Sequence, residues 1–326
     1  MMSKELVNGV SCDLPSLVTP SDLQSDSKRE NCLIVDWFSV SIKFDFEQFA
    51  SDLIHKNNFH GYDSDLKDPS NDFVDYVSRE FAMDFIENIL LLEDPFITWL
   101  TVPGYYGFRH RLYFNGISVH FGGNSPRGLN NMILVEMSGS GCRSYDEWGC
   151  NSWPVLFSLA LNRPDIYHCT RLDVAYDDFT GVLDIKKLDR ENEKHNLTTT
   201  FRDYRIEKSY VKEDMCIYYG SMASEIMFRC YNKAAERNRS EEIDHWIRFE
   251  MQLRDSRALA FIQSYLSTGC FGGTFSGIID KCLRYVTPTG NDTNKSRWNS
   301  PKWWTDFIGT TSEIQDFTKR ILNTIL

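Results

Sequence analysis

No part of the sequence is apolar for long. Its most hydrophobic stretch, FIENILLLEDPFITWLTV, is broken by Glu87, Glu93, Asp94 and Pro95, which excludes it as a bilayer span. The opening residues MMSKELVNGVSCDL lack the apolar core of a secretory signal. The nine cysteines include no C-x-x-C pair and no His-plus-Cys cluster with zinc spacing, which argues against structural zinc. Scattered thiols suit a reducing compartment, so the expected location is the cytoplasm, with no membrane partner. The glycine-rich GCFGGTFSG lacks the Lys-Ser/Thr pair of a phosphate-binding loop, and nothing else reads as a nucleotide triphosphate site. A basic excess is also missing. The formal net charge is -11, so any nucleic-acid contact should be local and site-specific rather than a general coating. None of the seven histidines lies one residue from another, which removes a His-hydrophobic-His metal site.

Aromatic residues, by contrast, make up 14% of the 326 residues and are rich in Phe and Tyr, which favours a sheet-containing fold over a helical bundle. Residues 1–31 read as a loose polar tail, residues 32–285 as the main domain, and residues 286–326 as a linker and a C-terminal helical segment whose end, RILNTIL, reads as interior to a helix. CLIVDWFSVSIKF reads as a buried strand, and residues 73–92 carry apolar residues at the spacing of an amphipathic helix. Asn115-Gly116 signals a tight hairpin. GSGCR after MILVEMS reads as a turn, which presents Arg143 to phosphate or simply closes a hairpin, and GCFGGTFSG reads as flexible. Trp298, Trp303 and Trp304 either stack on bases or pack the C-terminal helix onto the core.

The sequence also echoes itself. IVDWFSVSI resembles RLDVAYDDF, ILVEM resembles IRFEM, and a Tyr-Tyr-Gly triplet lies between each acidic pair. Two copies of one unit, residues 32–143 and 168–260, would give a central curved antiparallel sheet with helices on one face, an α+β fold; chance similarity of short strands is the alternative.

Alternation along strands separates a polar side from an apolar one. Arg171, Asp173 and Asp177 share a side in TRLDVAYDD; Arg248, Glu250 and Gln252 share one in WIRFEMQLRD; Arg229, Tyr231 and Lys233 share one in FRCYNK. Carboxylates on neighbouring strands suit a hard divalent cation, Mg²⁺ or Mn²⁺, and arginines and lysines suit phosphates. A tyrosine hydroxyl is a poor nucleophile at neutral pH, but flanking cations and a metal would favour its phenolate. The combination suits phosphodiester transesterification. Cross-strand ion pairs on a solvated face are the plainer explanation of the same residues. His245-Trp-Ile-Arg248 with a later Tyr285 loosely matches a tyrosine recombinase, but the run around it reads as strand where that enzyme needs helix.

TRLDVAYDD, YYGS..SE..FRCYNKAAER and WIRFEMQLRD, in that order, resemble the Rep_trans family of rolling-circle replication initiators, which spans plasmid initiators, filamentous phage replication proteins and integrative-element relaxases. The resemblance runs from about Leu33 to Asp255, with an echo in SPKWWTDF. It implies origin-specific nicking and closing through a 5′-phosphotyrosine on Tyr231, leaving a 3′-hydroxyl primer. It implies metal-binding acids at Asp173 and Glu250, with Glu136 as a third and Asp36 and Asp177 in reserve. Arg171, Arg229, Lys233, Arg248 and Arg143 are the expected phosphate or DNA contacts. The implied partners are origin DNA in a single-stranded or hairpin form, a host helicase, a host DNA polymerase and a second copy of the chain. A DNA-binding regulator of the same fold that does not cut is the alternative.

Overall fold

The computed structural model describes residues 29–57, 69–92, 97–123, 131–209, 214–290 and 292–314. Most of the expected N-terminal tail, and RILNTIL at the other end, lie outside these residues. In chain order, the first half contains β1 (Cys32–Lys43), α1 (Phe46–Asn57), α2 (Asn71–Phe85), β2 (Leu100–Pro103), β3 (Phe108–Phe114), β4 (Ile117–Gly123), β5 (Met132–Met137), α3 (Gly139–Trp148) and α4 (Trp153–Asn162). The second half contains β6 (Tyr167–Asp178), α5 (Ile185–Glu193), β7 (Leu197–Thr199), β8 (Tyr204–Lys208), β9 (Met215–Tyr219), β10 (Ile226–Asn232), α6 (Lys233–Glu236) and β11 (Ile247–Arg254). After these come α7 (Asp255–Thr268), α8 (Phe271–Cys282), β12 (Leu283–Tyr285) and α9 (Lys302–Ser312).

Ten strands form one antiparallel sheet in the order β2-β3-β4-β5-β1-β6-β11-β10-β9-β8, with β7 and β12 paired separately. Outward from the central β1–β6 pair, the first half adds β5, β4, β3 and β2, while the second adds β11, β10, β9 and β8. The order of addition is the same on both sides. ILVEM falls in β5 and IRFEM in β11, at matched places in the two series. The Tyr-Tyr-Gly triplets do not match: one precedes β3, whereas the other closes β9.

The apolar sides of the strands face the helices. Leu172, Val174 and Tyr176 of β6, Phe249 and Met251 of β11, and Phe228 and Cys230 of β10 enter one continuous core with residues of α2, α4, α7 and α8. The hairpin between β3 and β4 turns on Asn115 and Gly116, both at positive φ (41° and 86°), as a tight mirror-image turn demands.

Two glycine-rich runs differ from the expectation of turn or flexible segment. GSGCR opens α3, because the Ser138 hydroxyl accepts the Gly141 amide and caps the helix. GCFGGTFSG runs into α8, where Phe271, Phe275 and Ile279 recur at intervals of four and are wholly buried. Its glycine has a packing role: a Cβ at Gly272 would collide with the Thr311 carbonyl oxygen of α9. Trp304 and Phe307 of α9 are themselves fully buried in the main core, so this helix packs on the domain, and Trp304 offers no face for bases.

Candidate functional site

The sheet face opposite the core helices carries a cleft of about 790 Å³. Its wall begins with an irregularity in β1. Core positions run Leu33, Val35, then Phe38, Val40 and Ile42, and the register against β6 slips between Val35 and Trp37. The extra residue is a β-bulge that lets Asp36 and Trp37, consecutive in sequence, both line the cleft. Asp173, Arg229, Tyr231 and Lys233 line it with them.

Strand register brings the rest of the set together. Arg229 lies opposite Glu250, and Tyr231 opposite Arg248, across β10–β11. Gln252 faces Asp173, and Arg248 faces Asp177, across β11–β6. The Tyr231 hydroxyl donates to Glu250 Oε2 at 3.1 Å, while Arg229 takes Glu250 Oε1. Lys233 Nζ donates to the Tyr231 oxygen at 3.5 Å and pairs with Glu236 at 2.8 Å. Arg171 grips Asp173 with two donors, one at 2.9 Å, and its guanidinium lies over the Trp37 ring at 4.4 Å. Arg248 bridges two acids: two donors reach Asp177 at 2.7 Å each, and a third reaches Asp36 at 2.8 Å.

The expected ion pairs are present, but the face is not solvated. Asp177 and Glu250 are 0% exposed, Asp173 1% and Arg248 3%. Taking each charge out of water costs several kcal/mol, which pairing at best roughly offsets, so stability alone does not account for this cluster. Buried charges concentrated at a cleft are a signature of a site held ready for chemistry.

Two electrostatic details refine the expected chemistry. Burial, followed by the Glu250 charge, holds the Tyr231 phenol well above its ordinary pKa, against the pull of Arg248 and Arg229. The flanking cations therefore do not make a phenolate by themselves. The proton needs an acceptor, and Glu250 is already hydrogen-bonded to it. Burial also pushes the Asp173 carboxyl up to about 7; Arg171 opposes this, and the nearby Glu250 and Asp36 charges add to it. Asp173 then holds in the folded protein a proton that the unfolded chain releases near 4. The folded state binds more protons between about pH 4 and 7, so this residue makes stability fall as pH rises through that window. Urea denaturation at a series of pH values should show the decline in the wild type and a flatter profile in Asp173→Asn; parallel profiles would contradict it.

The carboxylate pair also bears on a divalent cation. Asp173 and Glu250 supply the oxygen donors that Mg²⁺ or Mn²⁺ takes, and their mutual repulsion is what such a cation relieves. The donor chemistry suits a cation, although the described residues contain no ready-made group of three or more metal-binding side chains. Glu136 is not beside them in the cleft. It sits on β5, where His120 lies 3.0 Å from its Oε2 and where burial and then the Glu136 charge raise the pKa of the Tyr106 phenol.

Arg143 requires a correction. It is buried in α3, donates to the Val35 carbonyl oxygen and pairs with Asp146 at 3.1 Å, so it faces protein rather than phosphate. Arg248 is likewise saturated by carboxylates and braces the site. His245, within hydrogen-bonding distance of Asp178 at 3.0 Å, is structural. Trp37, Tyr106 and His120 were not singled out from sequence. The repeat of LVEM in RFEM held a signal for His120, because it marks β4–β5 as the counterpart of β10–β11.

Comparison with known proteins agrees with this arrangement. A model of the replication initiation factor family, Rep_trans, matches residues 167–325, which include β6, β10 and β11. A Bacillus subtilis (strain 168) protein described as "Putative DNA relaxase NicK" is 28% identical over 271 residues, covering 78% of this chain and 75% of that one. The solved rolling circle replication initiator protein from Geobacillus stearothermophilus superposes with a TM-score of 0.67 at 26% identity, covering 87% of this chain and 97% of its own.

Proposed function

We propose that the chain, which is similar to the Rep_trans family of replication initiation factors over residues 167–325, is a rolling-circle replication initiator that nicks and rejoins one strand of its origin through Tyr231. The observation that carries this reading is the Tyr231 phenol at the cleft, 3.1 Å from a buried carboxylate that accepts its proton. Arg229 and Lys233 line the same cleft and receive the scissile phosphate; Arg171 supports it from beside Asp173. Tyr231 Oη bonds to phosphorus, the P–O3′ bond breaks, Glu250 takes the phenolic proton, and the departing 3′ oxygen takes a proton from water. Lys233 stabilises negative charge on the tyrosine oxygen, at 3.5 Å in the resting site. Asp173 and Glu250 would hold Mg²⁺ or Mn²⁺, whose contribution is to polarise a phosphate oxygen. The 3′-hydroxyl left behind primes a host polymerase while a host helicase unwinds ahead. A later transesterification, reversing the same bond changes, closes the released strand. The ester energy stays in the phosphotyrosine, so no nucleotide triphosphate is consumed. The reading includes a homodimer working in the cytoplasm.

The test is a supercoiled plasmid carrying the chain's own replicon origin, incubated with the protein and Mg²⁺ or with a chelator. Nicked circles bearing covalently attached protein are expected with Mg²⁺ and lost on chelation. Specific binding without cleavage under either Mg²⁺ or Mn²⁺ would overturn the proposal and leave a DNA-binding regulator.

A further inference from the structure

Beyond the cleft, the same sheet face carries an aromatic and cationic surface that the nicking chemistry does not use. Tyr105 and Tyr106 stand in the turn before β3 with 55% and 66% of their surface exposed. Tyr106 adopts a left-handed backbone (φ 59°), a conformation unfavourable for a bulky residue and held here by its surroundings. Those surroundings are the first-half counterpart of the Tyr231 site. Ser118 lies opposite Glu136 and His120 opposite Leu134 across β4–β5, as Arg229 lies opposite Glu250 and Tyr231 opposite Arg248 across β10–β11. His120, fully buried, sits where Tyr231 sits in the second half. Its Nδ1 accepts the Tyr105 amide, so its Nε2 carries the proton donated to Glu136. The Tyr106 phenol is close enough to the same carboxylate for its charge to raise the phenol pKa, after burial. His120 and Glu136 thus anchor a turn that presents two rings to solvent.

The cation beside those rings lacks a counter-charge. Arg111 makes no ion pair among the described residues; its Nε is buried without a partner, and Nη1 donates to the Ser118 hydroxyl. The guanidinium carbon lies 4.7 Å from the Tyr105 ring centre and 5.1 Å from that of Tyr113. Tyr113 in turn lines the cleft that contains Tyr231, as does Trp37.

We infer that Tyr105, Tyr106 and Arg111 form a subsite for single-stranded DNA continuous with the nick site. Bases stack on the exposed rings, and Arg111 meets a backbone phosphate. From there the strand passes Tyr113 and Trp37 to reach Tyr231. The inference rests on the proposed DNA-nicking reading. It commits to single-stranded nucleic acid because flat rings beside an uncompensated guanidinium match an unpaired base and its phosphate, whereas duplex bases are stacked on one another and cannot cover a ring.

The test uses the full chain and a fluorescein-labelled oligo(dT) in an anisotropy titration over a salt series. The double variant Tyr105→Ala/Tyr106→Ala should bind at least about tenfold more weakly. Tyr105→Phe/Tyr106→Phe keeps the rings, lacks the hydroxyls, and should bind like the wild type. Arg111→Gln should weaken binding and reduce the salt slope by somewhat less than one contact. Circular dichroism melting checks that each variant is folded. Wild-type affinity in the folded alanine variant, or equal losses in the alanine and phenylalanine variants, would overturn the subsite while leaving the nicking proposal untouched.

Discussion

Tyr231→Phe should abolish nicking and leave the protein folded and bound to its origin. Removing a nucleophilic oxygen costs catalysis on the order of four or more decades, since no neighbouring group takes its place in the covalent step. The change deletes one atom and two hydrogen bonds, the one that the Tyr231 hydroxyl donates to Glu250 and the long one that it accepts from Lys233, which keeps its pairing with Glu236. Glu250 keeps its ion pair with Arg229, so the buried carboxylate is not stranded. The expected stability change is therefore small, about 1 kcal/mol. Gel assays of nicked circles and of protein-linked DNA give the first result, and chemical denaturation the second. Residual nicking within tenfold of the wild type would show that another group attacks the phosphate.

The largest effect on stability should come from Arg248→Met. Its guanidinium neutralises Asp177, which is wholly buried, and Asp36 at the bulge of β1. Burial raises the Asp36 carboxyl, yet Arg248 above all, with Lys233 and other cations, outweighs burial and holds it below the ordinary value. Without Arg248, the buried Asp177 loses its two guanidinium donors and Asp36 loses its ion-pair partner, at a cost of about 3–5 kcal/mol. The sign with pH follows from the same charges. Asp36 stabilises the fold when ionised beside Arg248, so the loss is greatest at neutral pH and shrinks at acidic pH, where Asp36, buried without that guanidinium, takes up a proton. Urea midpoints of wild type and variant at pH 5 and pH 8 read this directly. A difference below about 1 kcal/mol at both pH values would contradict the bracing role.

How much of this was legible in sequence depended on what a local pattern encodes. Alternation in TRLDVAYDD, FRCYNK and WIRFEMQLRD put Asp173, Tyr231 and Glu250 on polar sides, and the fold turned those sides to one face. A two-residue period reveals the side but not the depth, so the near-total burial of Asp173 and Glu250 was not readable. Nor was pairing. Glu136 shares the acidic signature of Glu250, yet strand order carries it to the other half of the sheet, beside His120. The Asp36 bulge depends on register with a strand more than a hundred residues away. Glycine misled twice, because GSGCR and GCFGGTFSG have turn composition, while a Ser138 cap and close packing against α9 make both helical. Arg143 was misread for the same reason: once α3 forms, its side chain points into protein.

The most direct test of the central claim is to trap the covalent complex and identify the modified residue. Wild-type protein is reacted with a single-stranded origin oligonucleotide, digested with protease and nuclease, and mapped by tandem mass spectrometry. A nucleotide joined through a 5′ phosphate to the tyrosine at position 231 is the predicted result. An adduct on a different residue, or cleavage of the oligonucleotide with no adduct on the protein, would contradict it.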